Sequence, residues 1–170
     1  AGLIRQVQAY DEKRVQEQGF QIYAPSTRGV NNSIAFRPDN PLVADLRVRQ
    51  ALLHGTNTAE VVQTLFSANY PQATSVVAKS AAGYVDLASE LRFDPEKAQR
   101  LLDEAGWTLG SQGLRQKDGQ DLVLTAYEAL PQPQNKETLQ LVAQQWGKLG
   151  VKLNVLAGDA GSRAVDNLDP

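Results

Sequence analysis

The sequence predicts an α/β fold, a mixed sheet with flanking helices, and three stretches carry that prediction. Phe93 to Trp107 reads as one complete amphipathic helix with both ends specified. Lys117-Asp-Gly-Gln120 signals a hairpin, because Asp-Gly accepts the positive φ values that a tight turn demands. Leu122 to Val155 runs strand, helix, strand with the lengths of a right-handed βαβ crossover.

Taken in order, the chain opens with a short strand around Leu3 to Val7 and a helix from about Asp11 to Gln18, stopped by Gly19. Phe20-Gln-Ile-Tyr23 alternates and predicts a strand; Pro25, Ser26 and Gly29 mark a turn; Ser33-Ile-Ala-Phe36 predicts the return strand. Asp45 caps a helix running to about His54. Asn57-Thr-Ala-Glu60 has capping-box spacing, with Glu60 placed to reach the Asn57 N–H. From Ala68 to Leu91 the chain is rich in Ala, Ser, Pro and Gly without periodicity, which predicts an irregular connection.

In the helix that follows, Asp94 supplies the cap and Pro95 stands at the first helical position, where its missing N–H costs nothing. Ala98, Leu101, Leu102 and Ala105 fall on one stripe, Glu96 and Arg100 sit four apart on the wet side, and Gly106 ends the helix. After the hairpin, Leu122 to Tyr127 is a nearly continuous apolar run, as for a central strand covered on both faces. A loop with Pro131 and Pro133 leads to Asn135, which caps a helix with a buried stripe of Leu139, Val142, Ala143 and Trp146. Gly150 closes it, and Val151, Leu153 and Val155 alternate into a last strand. The tail from 159 to 170 carries no periodic signal and reads as frayed.

Size and composition bound the function. At 170 residues the chain is one domain, or one lobe of something larger. A net charge of −2 with both signs interspersed gives no reason to expect nucleic acid as a partner. There is no cysteine, so a disulfide scaffold, a thiol nucleophile and thiolate metal sites are excluded. Methionine is absent too, which leads us to expect an excised fragment with any signal peptide outside it. His54 is the sole histidine and lies in the last turn of its helix, which suits a structural role rather than a metal site. No nucleophile elbow, phosphate loop or dinucleotide fingerprint is present, no two carboxylates pair at a site, and the chain is not expected to be an enzyme or to need a cofactor. Trp107 and Trp146 occupy helix-packing positions and are assigned to the core. Arg47 and Arg49 read as solvated or ion-paired.

Topology points to one candidate site. Ligands in open α/β sheets settle beyond the carboxyl ends of the strands. That edge holds the loop from Tyr127 to Asn135: a flat aromatic face with a hydroxyl, the charge of Glu128, and Asn135 at a helix N-terminus. A proline-rich surface loop without function is an equal reading of the same residues.

Four strings also resemble a known family: Asp94-Pro-Glu-Lys-Ala98 with Leu101-Leu102 and Ala105-Gly-Trp107; Asp45-Leu-Arg-Val-Arg-Gln-Ala-Leu52; Gly113-Leu-Arg-Gln-Lys-Asp-Gly-Gln-Asp-Leu122; and Trp146-Gly-Lys-Leu-Gly-Val-Lys-Leu-Asn-Val155. In this order they are similar to the family 5 solute-binding proteins of ABC importers, the dipeptide, oligopeptide, nickel and opine receptors. The resemblance implies a lobe of a periplasmic-binding-protein-like type II fold, residues 1–170 forming much of the second lobe and 1–37 its hinge-proximal segment. It implies a solute (peptide, opine or metal chelate) held between two lobes, a permease partner, and a first lobe outside this chain. The location it implies is periplasmic or extracytoplasmic, with a lipid anchor in a Gram-positive source. It favours the Tyr127 to Asn135 loop as the cleft border and adds Asn31, Asn32 and Ser33, which match positions near the same cleft. Two positions depart from the family pattern: Arg37 stands where Asn is usual, and Gly55-Thr-Asn-Thr58 replaces Ala-Ile-Asp-Arg. The competing reading is a free-standing α/β interaction domain working through an exposed apolar patch.

Overall fold

The computed structural model describes residues 7–25, 29–128 and 134–157. The chain divides into two compact units, one built from 1–33 and 58–90, the other from 34–57 and 91–170. The predicted strand at Leu3 to Val7 and the tail from 159 lie largely or wholly outside the described residues.

In the first unit a 3-10 turn, Ala9–Asp11, leads into helix α1, Glu12–Glu17. Gly19 stops it at φ 85°, a left-handed backbone that glycine adopts without steric cost. Phe20 to Tyr23 and Ser33 to Phe36 are not strands. Alternation describes a side-chain pattern, but a strand also needs a ladder partner, and these segments have none among the described residues. The pairing that does form is a single antiparallel bridge between Val30 and Val77. Helix α3, Thr58–Leu65, follows, and 66–90 runs through turns and bends without helix or ladder, as its composition predicts.

The second unit holds the larger core. Helix α2, Leu46–His54, begins at Asp45, whose carboxylate accepts the Arg47 N–H at 2.8 Å. Helix α4, Pro95–Glu104, begins at Asp94, which accepts the Lys97 N–H at 2.9 Å. Its C-terminus is a Schellman motif: the Gly106 N–H donates to the Asp103 carbonyl and the Trp107 N–H to the Leu102 carbonyl, both at 2.9 Å, with Gly106 at φ 86°. Trp107 is thereby folded back into the core. The two helices pack together over Val48, Ala51, Leu52, Ala98 and Leu102, all fully buried. Each large apolar side chain so covered contributes about 1.5–3 kcal/mol. Among the described residues no ion pair links Glu96 to Arg100; the 2.6 Å bond from Arg47 Nη1 to the Glu104 carbonyl ties the helices instead.

Strands β1, Thr108–Leu109, β2, Arg115–Lys117, and β3, Gln120–Asp121, form an antiparallel sheet. Asp118 and Gly119 turn its hairpin at φ 52° and 78°, as the Asp-Gly signal predicts. Strand β4, Val123–Tyr127, helix α5, Asn135–Gly147, and strand β5, Lys152–Leu156, make the βαβ unit, with β4 and β5 parallel from Val123↔Lys152 to Tyr127↔Leu156. β4 differs from the expected central strand. Its one ladder partner among the described residues is β5, and Thr125 and Tyr127 are exposed. α5 lays Leu139, Val142 and Trp146 into the core beside Leu122, Leu149 and Val151.

Polar ties complete the second unit. His54 is buried, with Nδ1 2.9 Å from the Arg92 carbonyl, while its own carbonyl accepts the Asp94 N–H at 2.8 Å. Trp146 Nε1 donates to Thr56 Oγ1 at 2.9 Å, the Thr56 hydroxyl donates to the Leu52 carbonyl at 2.7 Å, and Phe36 stacks on the indole at 6.3 Å. The Asn57 N–H donates to Gln145 Oε1 at 3.0 Å.

Candidate functional site

The parallel register decides which residues share an edge. Because β4 and β5 run the same way, their carboxyl ends lie side by side and bring Tyr127 next to Leu156. The Glu128 N–H extends the pairing by donating to the Leu156 carbonyl at 3.0 Å. Tyr127 is 38% exposed and Leu156 44%, so this edge offers an aromatic and an aliphatic surface with a carboxylate beside them.

Asn135 differs from its expected role. The helix starts one residue earlier than a cap at 135 requires: Gln134 is the N-cap, at φ 58° and ψ 17°, and Asn135 is the first helical residue. A left-handed Gln134 turns the chain into the helix without a side-chain cap, and its carbonyl accepts the Thr138 N–H at 2.9 Å. Asn135 therefore stands at the N-terminal turn, where backbone N–H groups point outward. Pro131 and Pro133 lie outside the described residues.

Asn31, Asn32 and Ser33 belong to the other unit. The Asn31 side-chain NH2 is taken up by its own surroundings: Nδ2 donates to the Ser75 carbonyl at 2.8 Å and to the Val77 carbonyl at 3.0 Å. Its N–H donates to the Val76 carbonyl at 2.9 Å, so Asn31 clamps the Val30–Val77 bridge. Asn32 and Ser33 are exposed on a segment without a ladder.

The sequence did not point to Leu156, Arg115 or Gln145. Leu156 follows from strand register, for which one sequence carries no direct signal. Arg115 is 5% exposed in a three-residue strand; its Nη1 donates to the Asp103 carboxylate and to the Trp107 carbonyl. Among the described residues no group of three or more His, Asp or Glu could hold a metal ion. No helix there is long and apolar enough to cross a membrane.

Charge at the helix ends follows simple causes. Asp45 is held at about 2, first by the hydrogen bonds from the Arg47 side chain and then by the Arg47 N–H. Asp94 is lowered chiefly by the Lys97 N–H. Both belong to capping.

Residues 2–169 match the family described as bacterial extracellular solute-binding proteins, family 5 Middle. The chain belongs to that family. It is 36% identical over 137 residues to the oligopeptide-binding protein OppA of Lactococcus lactis subsp. cremoris, covering 75% of this chain and 22% of the relative. It is 31% identical over 140 residues to the glutathione-binding protein GsiB of Salmonella typhimurium, covering 82% of this chain and 24% of the relative. The crystal structure of NikA from Brucella suis in complex with Fe(III)-EDTA superposes with a TM-score of 0.76 at 24% identity, over 94% of this chain and 32% of that one. The last likeness shows the fold, that of a lobe of a substrate-binding protein. The family 5 chain thus spans about a quarter of the length of these curated relatives.

Proposed function

We propose that the protein carrying this chain is the solute-binding component of an ABC importer, that it captures a peptide-like solute between two lobes, and that it delivers the solute to a membrane permease. The observation that carries this reading is the family match across residues 2–169, joined by two curated relatives whose names specify a peptide or glutathione, itself a short peptide. A metal chelate is the second solute class; the likeness to NikA supports it only through the fold.

The part played by these residues is to supply one wall of the cleft. Tyr127 and Leu156 give it an apolar surface, Glu128 gives it a negative charge, and the first turn of α5 at Asn135 gives it outward N–H groups suited to a carboxylate or a carbonyl. Asn31, Asn32 and Ser33 are assigned to the solute site through the family pattern, the Asn31 NH2 being also bound to the Ser75 and Val77 carbonyls. Binding proteins of this architecture work by differential contact: a solute touching both lobes favours the closed population, and a solute touching one lobe shifts nothing. Transport, not catalysis, is the task, and the location is extracytoplasmic.

Calorimetric titration tests this. The two-lobed protein, given a mixed peptide library, is expected to bind with micromolar or tighter affinity. Tyr127→Ala should weaken that binding by about 1–3 kcal/mol, the scale of one aromatic contact. The 170-residue chain alone should give no heat. Binding left intact by Tyr127→Ala, Leu156→Ser and Glu128→Gln together would remove the carboxyl edge from the cleft.

A further inference from the structure

The chain passes between its two units at three points, 33/34, 57/58 and 90/91, and each has a tie on the second unit's side within three residues. Next to the first, Phe36 stacks on Trp146, with ring planes 21° apart. Next to the third, the Arg92 carbonyl is held by His54 Nδ1 at 2.9 Å. At the middle one a buried amide makes a tie. Gln145 Oε1 accepts the Asn57 N–H at 3.0 Å and Gln145 Nε2 donates to the Asn57 carbonyl at 3.3 Å. Asn57 is the last residue before the crossing, so the side chain completes both backbone groups of the residue at which the chain departs.

A glutamine is an expensive choice for a buried helix position unless its amide is satisfied, because an unmatched buried amide costs several kcal/mol. Leu or Met would fill the same space beside Leu149 and Trp146 without that demand. Gln does what they cannot: it pairs with a backbone N–H and C=O together, as a neighbouring strand would. Thr56, the residue before, is held by the next residue of the same helix through Trp146 Nε1. Two adjacent side chains of α5 thus fix two adjacent residues of the departing chain.

We propose that Gln145 is a splint: it fixes the backbone path by which the chain leaves the second unit at Asn57, and it is present for that positioning rather than for the stability of the core. This stands on the geometry of one unit and does not depend on which solute is bound.

In Gln145→Leu the near-ultraviolet circular dichroism of the two tryptophans is expected to stay as in the parent. Hydrogen exchange at the Asn57 amide should accelerate about tenfold, the equivalent of one lost neutral hydrogen bond, with the Leu102 and Val142 amides unchanged. Gln145→Glu keeps the acceptor and loses the donor, and should fall between the two. Unaltered Asn57 exchange in Gln145→Leu would overturn the splint and leave Gln145 a packing residue. Should Gln145→Leu fail to fold, the parent chain decides: an Asn57 amide exchanging as fast as that of exposed Asn32 would equally refute it.

Discussion

Arg115 Nε donates to the carbonyl of Leu149 at 2.8 Å, joining strand β2 to the turn that precedes β5. The same guanidinium takes the Trp107 carbonyl beyond the end of α4 and the Asp103 carboxylate within it. One buried side chain thus satisfies carbonyl groups from two separate turns. Lys cannot replace it, since a point charge on a flexible stem lacks the planar fork. Arg115→Lys is expected to lower stability by about 1–2 kcal/mol and Arg115→Leu by about 2–4 kcal/mol, because the stranded carbonyls stay buried. Urea unfolding checks both, and a midpoint unchanged in Arg115→Leu would refute the assignment. Asp103 is largely solvent-facing, so Asp103→Asn should cost less than about 1 kcal/mol.

Gly150 stands at φ 81°, where an added Cβ would meet Leu109 Cδ1 at 2.7 Å, the Gly113 carbonyl at 3.0 Å and Arg115 Cγ at 3.1 Å. Gly119 has nearly the same backbone, at φ 78°, but open space around it. Gly119→Ala should therefore show the backbone cost alone, about 1 kcal/mol, and Gly150→Ala clearly more. Equal losses by thermal unfolding would mean that packing at Gly150 contributes nothing.

Trp146→Phe keeps the stack on Phe36 and removes the Nε1 donor to Thr56. The expected loss is about 0.5–1.5 kcal/mol, and adding Thr56→Val should cost less than the sum of the singles, because the two share one bond. Strict additivity in the double-mutant cycle would argue against that bond.

Asp45 is held at about 2 in the fold, below its ordinary 3.8, by Arg47. A lowered carboxylate stabilises the fold above the unfolded value, so the contribution is complete above about pH 5. It fades as pH falls through 4 and is gone below about 2. The carboxylate lies near the surface, so salt screens the effect. Asp45→Asn retains a cap and should flatten the acid limb of the stability–pH curve without moving its neutral plateau far. An acid limb of the same slope in Asp45→Asn would exclude Asp45 as a contributor.

What the sequence made legible was local. Asp94, Pro95, Gly106 and the apolar stripe between them define α4 without outside help, and Asp118-Gly119 defines a turn by φ alone. The βαβ unit was legible because Leu122 to Tyr127 and Val151 to Val155 bracket a helix of the right length. Illegible features depend on partners distant in the chain. Phe20 to Tyr23 has a strand's alternation and, among the described residues, no strand beside it, and Tyr23 ends 95% exposed. Gln145 looks like a polar interruption of its helix until Asn57, 88 residues away, is seen against it. The candidate edge was half legible: topology pointed to Tyr127, whereas the pairing that adds Leu156 is a property of register.

Both units are assembled from separated pieces of chain, and that arrangement bears on synthesis. Val48, Ala51 and Leu52 pack against Ala98 and Leu102, which emerge from the ribosome about fifty residues later, an interval of some seconds at ordinary elongation rates. During that interval the apolar stripe of α2 is made but lacks α4, the helix it packs against. A nascent chain arrested near Phe93 should therefore be cut readily by protease around Leu52 and bind an apolar dye. One arrested beyond Leu156 should do neither.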